Sequence, residues 1–417
     1  MTQDADRMLV HASGEVTTST EVEEAIDVRS PLSLTCHQCG AAYSRPVLEP
    51  DQWSQCVRCG SILEAYATFT PAAWLAIVLA AFLSLGFANA YPVATLFLQG
   101  QGQAATFFDA VAVSWQEGYP EVAVITFAAG FLLPVFHLCV LVWVLGPLAL
   151  GRLPLYFEPA IRLLDHLKPW CMVPVFLVGI LVSVVKLAGL ASLVAGIGLF
   201  ATALAAVLIT SLGRINAGKL RAMAHDAGLS GVQHPVLRPP SPAQISRVWA
   251  LILAAVILYV PANLLPIMKI DSIGGASAHT IVGGVIELWQ MGSWDIALVV
   301  FIASVVVPVF KLISLSVLVW LTQRGVGRGL RTRTQLYRAV EFIGQWSMLD
   351  VFVVILLSAL GRFGALLSIE PGSGAVAFGA VVILTMLAAM SFDPRLAWRR
   401  AGHRLHVSSV SSARSHG

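Results

Sequence analysis

Residues 87–96 read FANAYPVATL, and residues 261–268 read PANLLPIM. Asn89 and Pro92 of the first stretch return as Asn263 and Pro266 of the second, 174 positions later. At the same spacing Trp115, Gln116 and Gly118 meet Trp289, Gln290 and Gly292, and Pro134-Val135-Phe136-His137-Leu138 meets Pro308-Val309-Phe310-Lys311-Leu312. After a slip to 176, Arg162, Asp165, Trp170, Met172, Val175, Phe176 and Lys186 meet Arg338, Glu341, Trp346, Met348, Val351, Phe352 and Arg362. A constant spacing over so many positions reads as one structural unit written twice, a device common among proteins that move cargo across bilayers.

The unit belongs in a membrane. The chain is 57% hydrophobic and 12% charged, with mean hydropathy +0.79, whereas soluble domains carry about 25% charged residues. Apolar segments at about 72–92, 120–147, 169–191 and 193–213, and again at about 248–268, 294–321, 343–366 and 373–391, are each long enough to cross ~30 Å of hydrocarbon as a helix. The expected fold is an all-α polytopic membrane protein with eight transmembrane helices in two tandem four-helix repeats. Near Leu190–Gly196 the apolar run is uninterrupted, and a re-entrant hairpin is the alternative there.

The expected organisation is a disordered, rather acidic tail over 1–30, a cysteine module over 31–66, and the first membrane repeat over 70–214. A Pro-rich linker over 215–246, the second repeat over 247–394 and a basic tail over 395–417 follow. The net charge of +3 is spread over short connections and is no nucleic-acid signature. Arginines and lysines gather in alternate connections: Arg152, Arg162 and Lys168; the linker; Arg324 to Arg338; and Arg395 to Arg404. The opposite connections, 93–119, 269–293 and 367–372, hold only Lys269. The positive-inside rule then places the linker and both termini in the cytoplasm.

Cys36, Cys39, Cys56 and Cys59 form two C-x2-C pairs, each followed by glycine (Gly40, Gly60). Two such knuckles bring four thiolates to one tetrahedral ion. A structural zinc ribbon is the expected occupant. A rubredoxin-type iron site and a redox dithiol are the alternatives, and His37 is a bystander. Cys139 and Cys171 stand alone in apolar stretches and read as small buried side chains.

Charges at membrane depth are costly and mark function or buried pairing. Lys311 lies near the expected midplane of the sixth helix, and Asp350 about two turns into the seventh. They are expected either to fix helix register as an ion pair or to serve transport together. The first repeat carries His137 and Pro174 at these positions. Lys186 and Arg362, at the far ends of the third and seventh helices, read either as snorkelling side chains or as members of the same polar network. Arg162 with Asp165, and Arg338 with Glu341, read as helix-surface pairs three residues apart. Asn89 and Asn263 read as helix-end residues, and Glu287 and Asp295 as an exposed partner face.

The CxxCG and CxRCG knuckles, FANAYP, NLLPIM, the two PVFxL runs, Trp-x-Met followed by Val-Phe, and SFDPRLAW at 391–398 together resemble the paraquat-inducible protein A family, also called the lipophilic envelope-spanning tunnel A family. The resemblance covers roughly residues 32–400. It implies a bacterial inner-membrane protein working with periplasmic mammalian-cell-entry proteins, a part in moving phospholipids between membranes, and zinc ribbons on the cytoplasmic side. Family members often carry a second ribbon between the repeats, and residues 214–247 here contain no cysteine. No P-loop is present, so the chain is not expected to hydrolyse ATP or act as an enzyme. An ion gradient acting on Lys311, Asp350 or His137 is the natural energy source. A non-transporting anchor for the periplasmic partner is the alternative function.

Overall fold

The computed structural model describes residues 9–12, 15–18, 33–44, 52–65, 69–98, 101–188, 192–229, 243–272, 275–290, 292, 294–360 and 367–401. Among the described residues seven helices are long and apolar enough to cross a membrane: Pro71–Ala90, Pro120–Ala149, Phe157–Ser183, Ala243–Leu264, Ala297–Gln323, Leu330–Leu360 and Ser373–Ser391. Ile197–Leu212, followed by Ala217–Asp226 at a bend of 67°, makes an eighth if the bent pair is one span. In chain order these are called the first to eighth spans, Ile197–Leu212 being the fourth. The first packs mainly on the fourth, as the fifth does on the eighth.

The elements between the spans recur at the spacing of the sequence motifs. After the first span, Ala94–Leu98 pairs antiparallel with Gln101–Ala105 on one side and Ser192–Ala195 on the other. After the fifth, Met268–Ser272 pairs in the same way with Gly275–His279 and Leu367–Pro371. Ala94 faces Ala105 and Ala195, and Met268 faces His279 and Pro371. Each hairpin leads into a short helix opened by a threonine. Thr106 caps Phe107–Gln116 in a capping box with Asp109, and the Thr280 hydroxyl accepts from Gly283 N–H at 3.1 Å. Each second hydrophobic helix of a half then carries a π-helical turn, Ala128–Leu132 and Ile302–Val306, directly before Pro134 and Pro308. Proline has no N–H for the ladder, and a π-turn is one way to absorb the missing bond.

These sheets correct the all-α expectation. The connections after the first and fifth spans hold a hairpin and a short helix, and the apolar run near Leu190–Gly196 contains the strand Ser192–Ala195. Asn89 and Asn263 each donate back to the carbonyl four residues earlier, at 2.7 and 2.8 Å, which fits the helix-end reading.

The junction of sheet and helix demands glycine in both halves. Gly198 N–H donates to the Pro92 carbonyl at 3.1 Å and Gly374 N–H to the Pro266 carbonyl at 3.0 Å. A Cβ on Gly196 or Gly372 would overlap the carbonyl oxygen of Pro92 or Pro266.

The two halves meet along the third and seventh spans. The ring of Phe176 lies edge-on to Phe352 with centroids 5.4 Å apart, and those residues correspond at the second spacing. Ser183 Oγ donates to the Gly179 carbonyl at 2.8 Å and reaches the Val353 carbonyl at 3.4 Å. The apolar window of the seventh span is 88% buried, against 28–56% for the others.

Four-stranded and two-stranded sheets carry the cysteines. Within the tail expected to be disordered, Leu9–Ala12 and Glu15–Thr18 form a hairpin whose first strand pairs with Trp53–Gln55, a correction to that expectation. The Pro-rich connection begins with a helix, Ala217–Asp226, and the expected basic tail begins within a helical turn reaching residue 401.

Gly372→Ala is expected to destabilise the detergent-solubilised protein by about 1–3 kcal/mol through overpacking. Gly86→Ala, where a Cβ meets nothing within 4 Å, should leave the thermal midpoint unchanged or raised. Thermal unfolding followed by circular dichroism checks the pair.

Candidate metal centre and intramembrane polar site

Four cysteines on two β-hairpins converge. Cys36 and Cys39 sit in the turn between Ser33–Thr35 and Ala42–Ser44, Cys56 and Cys59 in the turn between Trp53–Gln55 and Ile62–Ala65. In each turn the Gly N–H returns to the first cysteine carbonyl, Gly40 to Cys36 at 2.9 Å and Gly60 to Cys56 at 2.8 Å. Both glycines take positive φ, 76° and 73°, as a tight knuckle requires.

The four Sγ atoms all lie within 4.8 Å of one another, with Cys36–Cys59 at 3.6 Å and Cys39–Cys56 at 3.5 Å. A tetrahedron of sulfurs around an ion at ~2.3 Å has edges of about 3.8 Å. The geometry fits such an ion, and the donor set is complete, with no ligand position left open. The Ser61 hydroxyl lies 2.9 Å from Cys59 and 3.1 Å from Cys36, and the Tyr43 hydroxyl 3.2 Å from Cys56. Hydroxyls placed in this way donate to thiolates and tune the metal. Hydrogen bonds from Cys36 and Cys39 hold the Cys59 thiol down, at about 6, and hold Cys56 down as well.

This cluster docks on the second half. Trp398 belongs to the same buried group as the cysteines; its indole N–H donates to Thr334 Oγ1 at 3.2 Å, and the Arg58 guanidinium lies 4.8 Å over its ring. Arg331 lies beside Gly60 and Arg395 beside Gly40. A divalent ion held by four thiolates would carry a net charge of −2, which these arginines would offset. Arg395 is itself held by Asp393 at 2.6 Å. His37 interacts electrostatically with Asp165 and Arg221 of the first half and Arg395 of the second. The ribbon thus covers the same end of both halves, opposite the two three-stranded sheets.

Lys311 has no exposed surface. Its ammonium donates to Thr385 Oγ1 at 2.9 Å and to Ser347 Oγ at 3.4 Å. Ser347 lies in the 3-10 turn Gln345–Met348 within the seventh span, and Thr385 lies in the eighth. A charge at bilayer depth costs about 2.5–3.5 kcal/mol on insertion scales, so two hydroxyls are a lean compensation. Neither hydroxyl was singled out from the sequence. Their signal was present in polar residues within the apolar stretches that face the sixth span.

Asp350 stands in the first turn of Leu349–Leu360, and Lys186 in the last turn of Val173–Ala188. Their side chains, and the whole of Arg362, lie outside the described residues, so their expected membership of one network has no geometry here. His137 is buried, with Nδ1 lacking a hydrogen-bond partner among the described residues. It lines a small cavity with Asp165, Lys168 and Asn216, separate from the residues around Lys311. The helix-surface pairs do not form as expected: among the described residues Asp165 feels the charges of His37, Lys168 and Arg221, while Arg338 Nε is unpartnered. Arg221 instead holds Glu158 through two bonds of 3.0 and 2.9 Å. Cys139 is exposed and Cys171 half-buried, which corrects the expectation that both are buried. Glu287 pairs with His279 at 3.0 Å, and the side chain of Asp295 lies outside the described residues.

The described residues define a multi-pass membrane protein with a four-cysteine cluster able to hold a metal ion and a lysine buried among hydroxyls. The family model described as "Paraquat-inducible protein A" matches residues 72–217 and 245–402, and the chain belongs to that family. The chain is 34% identical over 413 residues to "Intermembrane transport protein PqiA" of Escherichia coli strain K12, covering 90% of this chain and 98% of that protein. It is 32% identical over 390 residues to "Lipophilic envelope-spanning tunnel protein A" of the same organism, covering 87% and 90%. It is 28% identical over 402 residues to "Probable intermembrane transport protein" of Haemophilus influenzae, covering 88% and 95%. No solved structure matches.

The purified chain is expected to hold one metal ion, measured by native mass spectrometry. Tyr43→Phe is expected to weaken metal retention by about 10- to 100-fold against a competing chelator, and Cys56→Ser to abolish it.

Proposed function

We propose that this chain is the inner-membrane component of an intermembrane phospholipid transport system, passing lipid to or from a periplasmic partner of the mammalian-cell-entry type. Its membrane part is two tandem four-span units in the same orientation, related by an axis along the membrane normal. The matched sheets, capped helices and π-turns support that reading. The arginine-bearing connections and the ribbon lie together on the cytoplasmic side, and the paired sheets face the periplasm, where a partner meets them. The four thiolates hold one structural Zn²⁺, with iron as the minor alternative. Zinc there would stabilise the ribbon by holding the four thiolates together, and the negative charge left on the thiolates would attract Arg58, Arg331 and Arg395; it takes no part in moving lipid.

The observation that carries the transport reading is Lys311, a fully buried cation held by hydroxyls on two neighbouring spans. An anchor has no need of such a charge, whereas a transporter uses one to respond to an ion gradient or to an anionic headgroup. Asp350, one turn beyond Ser347 in the seventh span, is assigned to the same site with Lys186 and Arg362, and His137, in its own cavity, is the first unit's member of the proposed network.

Lys311→Met, tested in a strain lacking the native chain, is expected to reduce survival on detergent-containing medium by about tenfold or more, with folded protein and partner capture unchanged. Full survival at normal protein level would sink the transport reading and favour the alternative, a non-transporting anchor for the periplasmic partner.

A further inference from the structure

Lys168 has no part in the network described above. It opens the short turn Lys168–Trp170 that leads into the apolar part of the third span. It lines the small cavity beside the buried His137, and its charge acts on His137 and on two carboxylates, Asp165 and Glu341. Asp165 and Glu341 correspond at the second spacing, one in each half.

Two positions correspond across the halves. His137 matches Lys311 at the first spacing. Lys168 matches Gly344 at the second, as its neighbours Asp165, Trp170 and Met172 match Glu341, Trp346 and Met348. Gly344 stands directly against Lys311: a Cβ built on it would lie 3.8 Å from the ammonium nitrogen. In both halves, then, these two positions face each other, and in both they hold one lysine. The first half delivers it from the entrance of its third span and places histidine opposite. The second delivers it from its second span and places glycine opposite.

Like charges at adjacent positions in a poorly hydrated site repel strongly, so two lysines there would not coexist. Glycine opposite Lys311 leaves room for a long side chain. Where histidine fills the second-span position, the lysine has moved to the other side.

We propose that Lys168 is the first unit's counterpart of Lys311, a second cationic site with the same placement in its unit, delivered from the facing helix. Asp165 of its own unit lines the same cavity, and the charge of Glu341 of the other unit acts on Lys168 as well. Lys168 acts as a positioning residue for the proposed transport. The inference rests on the two-unit transport reading given above.

Relocating the lysine tests it. Lys168→Gly should lower detergent survival about tenfold, and the double variant His137→Lys with Lys168→Gly, which copies the second unit, should recover most of it. A merely structural lysine would not be rescued from another helix. If Lys168→Gly also lowers the folded level, the same comparison is read on that level, with recovery in the double variant supporting the site and no recovery overturning it. Wild-type survival of Lys168→Gly also overturns it. Lys311→Met, run in parallel, separates the two readings. Loss there with silent Lys168 variants removes only the second site, whereas silence in both removes the transport reading itself.

Discussion

The apolar window of the seventh span is 88% buried, and the neighbouring helices are packed around it. Lipid offers a backbone or a hydroxyl no hydrogen bonds, so polar groups at depth must be satisfied by neighbouring helices. The third span supplies the closest neighbour, with Phe176 set edge-on against Phe352 and Ser183 reaching the Val353 carbonyl. The 3-10 turn within the seventh span then brings Ser347 to Lys311, and the eighth span brings Thr385. At its ribbon-side end the same span presents Leu330, Arg331 and Thr334 to the cysteine domain. One helix thus joins the metal centre, the buried lysine and the contact between the halves.

The halves are alike in construction and unlike in chemistry. Both have a strand triplet, a threonine-capped helix, a π-turn before proline and a glycine locked under a proline carbonyl. They differ at the few positions that carry charge. The second half buries Lys311 at full depth. The first places His137 at the matching position and sets Lys168 beside it in the same cavity. The packing, which tolerates little change in volume, is thus alike in the two halves while the charges differ.

The cysteine centre was fully legible, since C-x2-C spacing and following glycines determine the ligand geometry with little help from the rest of the fold. The spans were legible because hydrocarbon thickness sets their length and composition. Lys311 stood out because nothing else in its apolar run is charged. The strands were not legible: Ala94–Leu98 reads as the tail of an apolar run, and Gln101–Ala105 as a polar loop, so alternation never develops. Ser347 and Thr385 were passed over because hydroxyls are common in transmembrane helices, and only their convergence on one ammonium distinguishes them. Arg162 and Arg338 were paired with the wrong partners because i, i+3 spacing describes an isolated helix, whereas Asp165 also feels His37 of the cysteine module and Arg221 of the helix Ala217–Asp226.

Impermeant thiol labelling in intact cells tests the central claim, that two like-oriented units present their paired sheets to the periplasm and the ribbon to the cytosol. In a Cys139→Ala background, cysteines introduced at Ser272 and Ser192 are expected to react without permeabilisation. Cysteines at Arg152 and Arg328 should react only after it. Labelling of Arg152→Cys or Arg328→Cys in intact cells, or opposite results at Ser192 and Ser272, would contradict the arrangement.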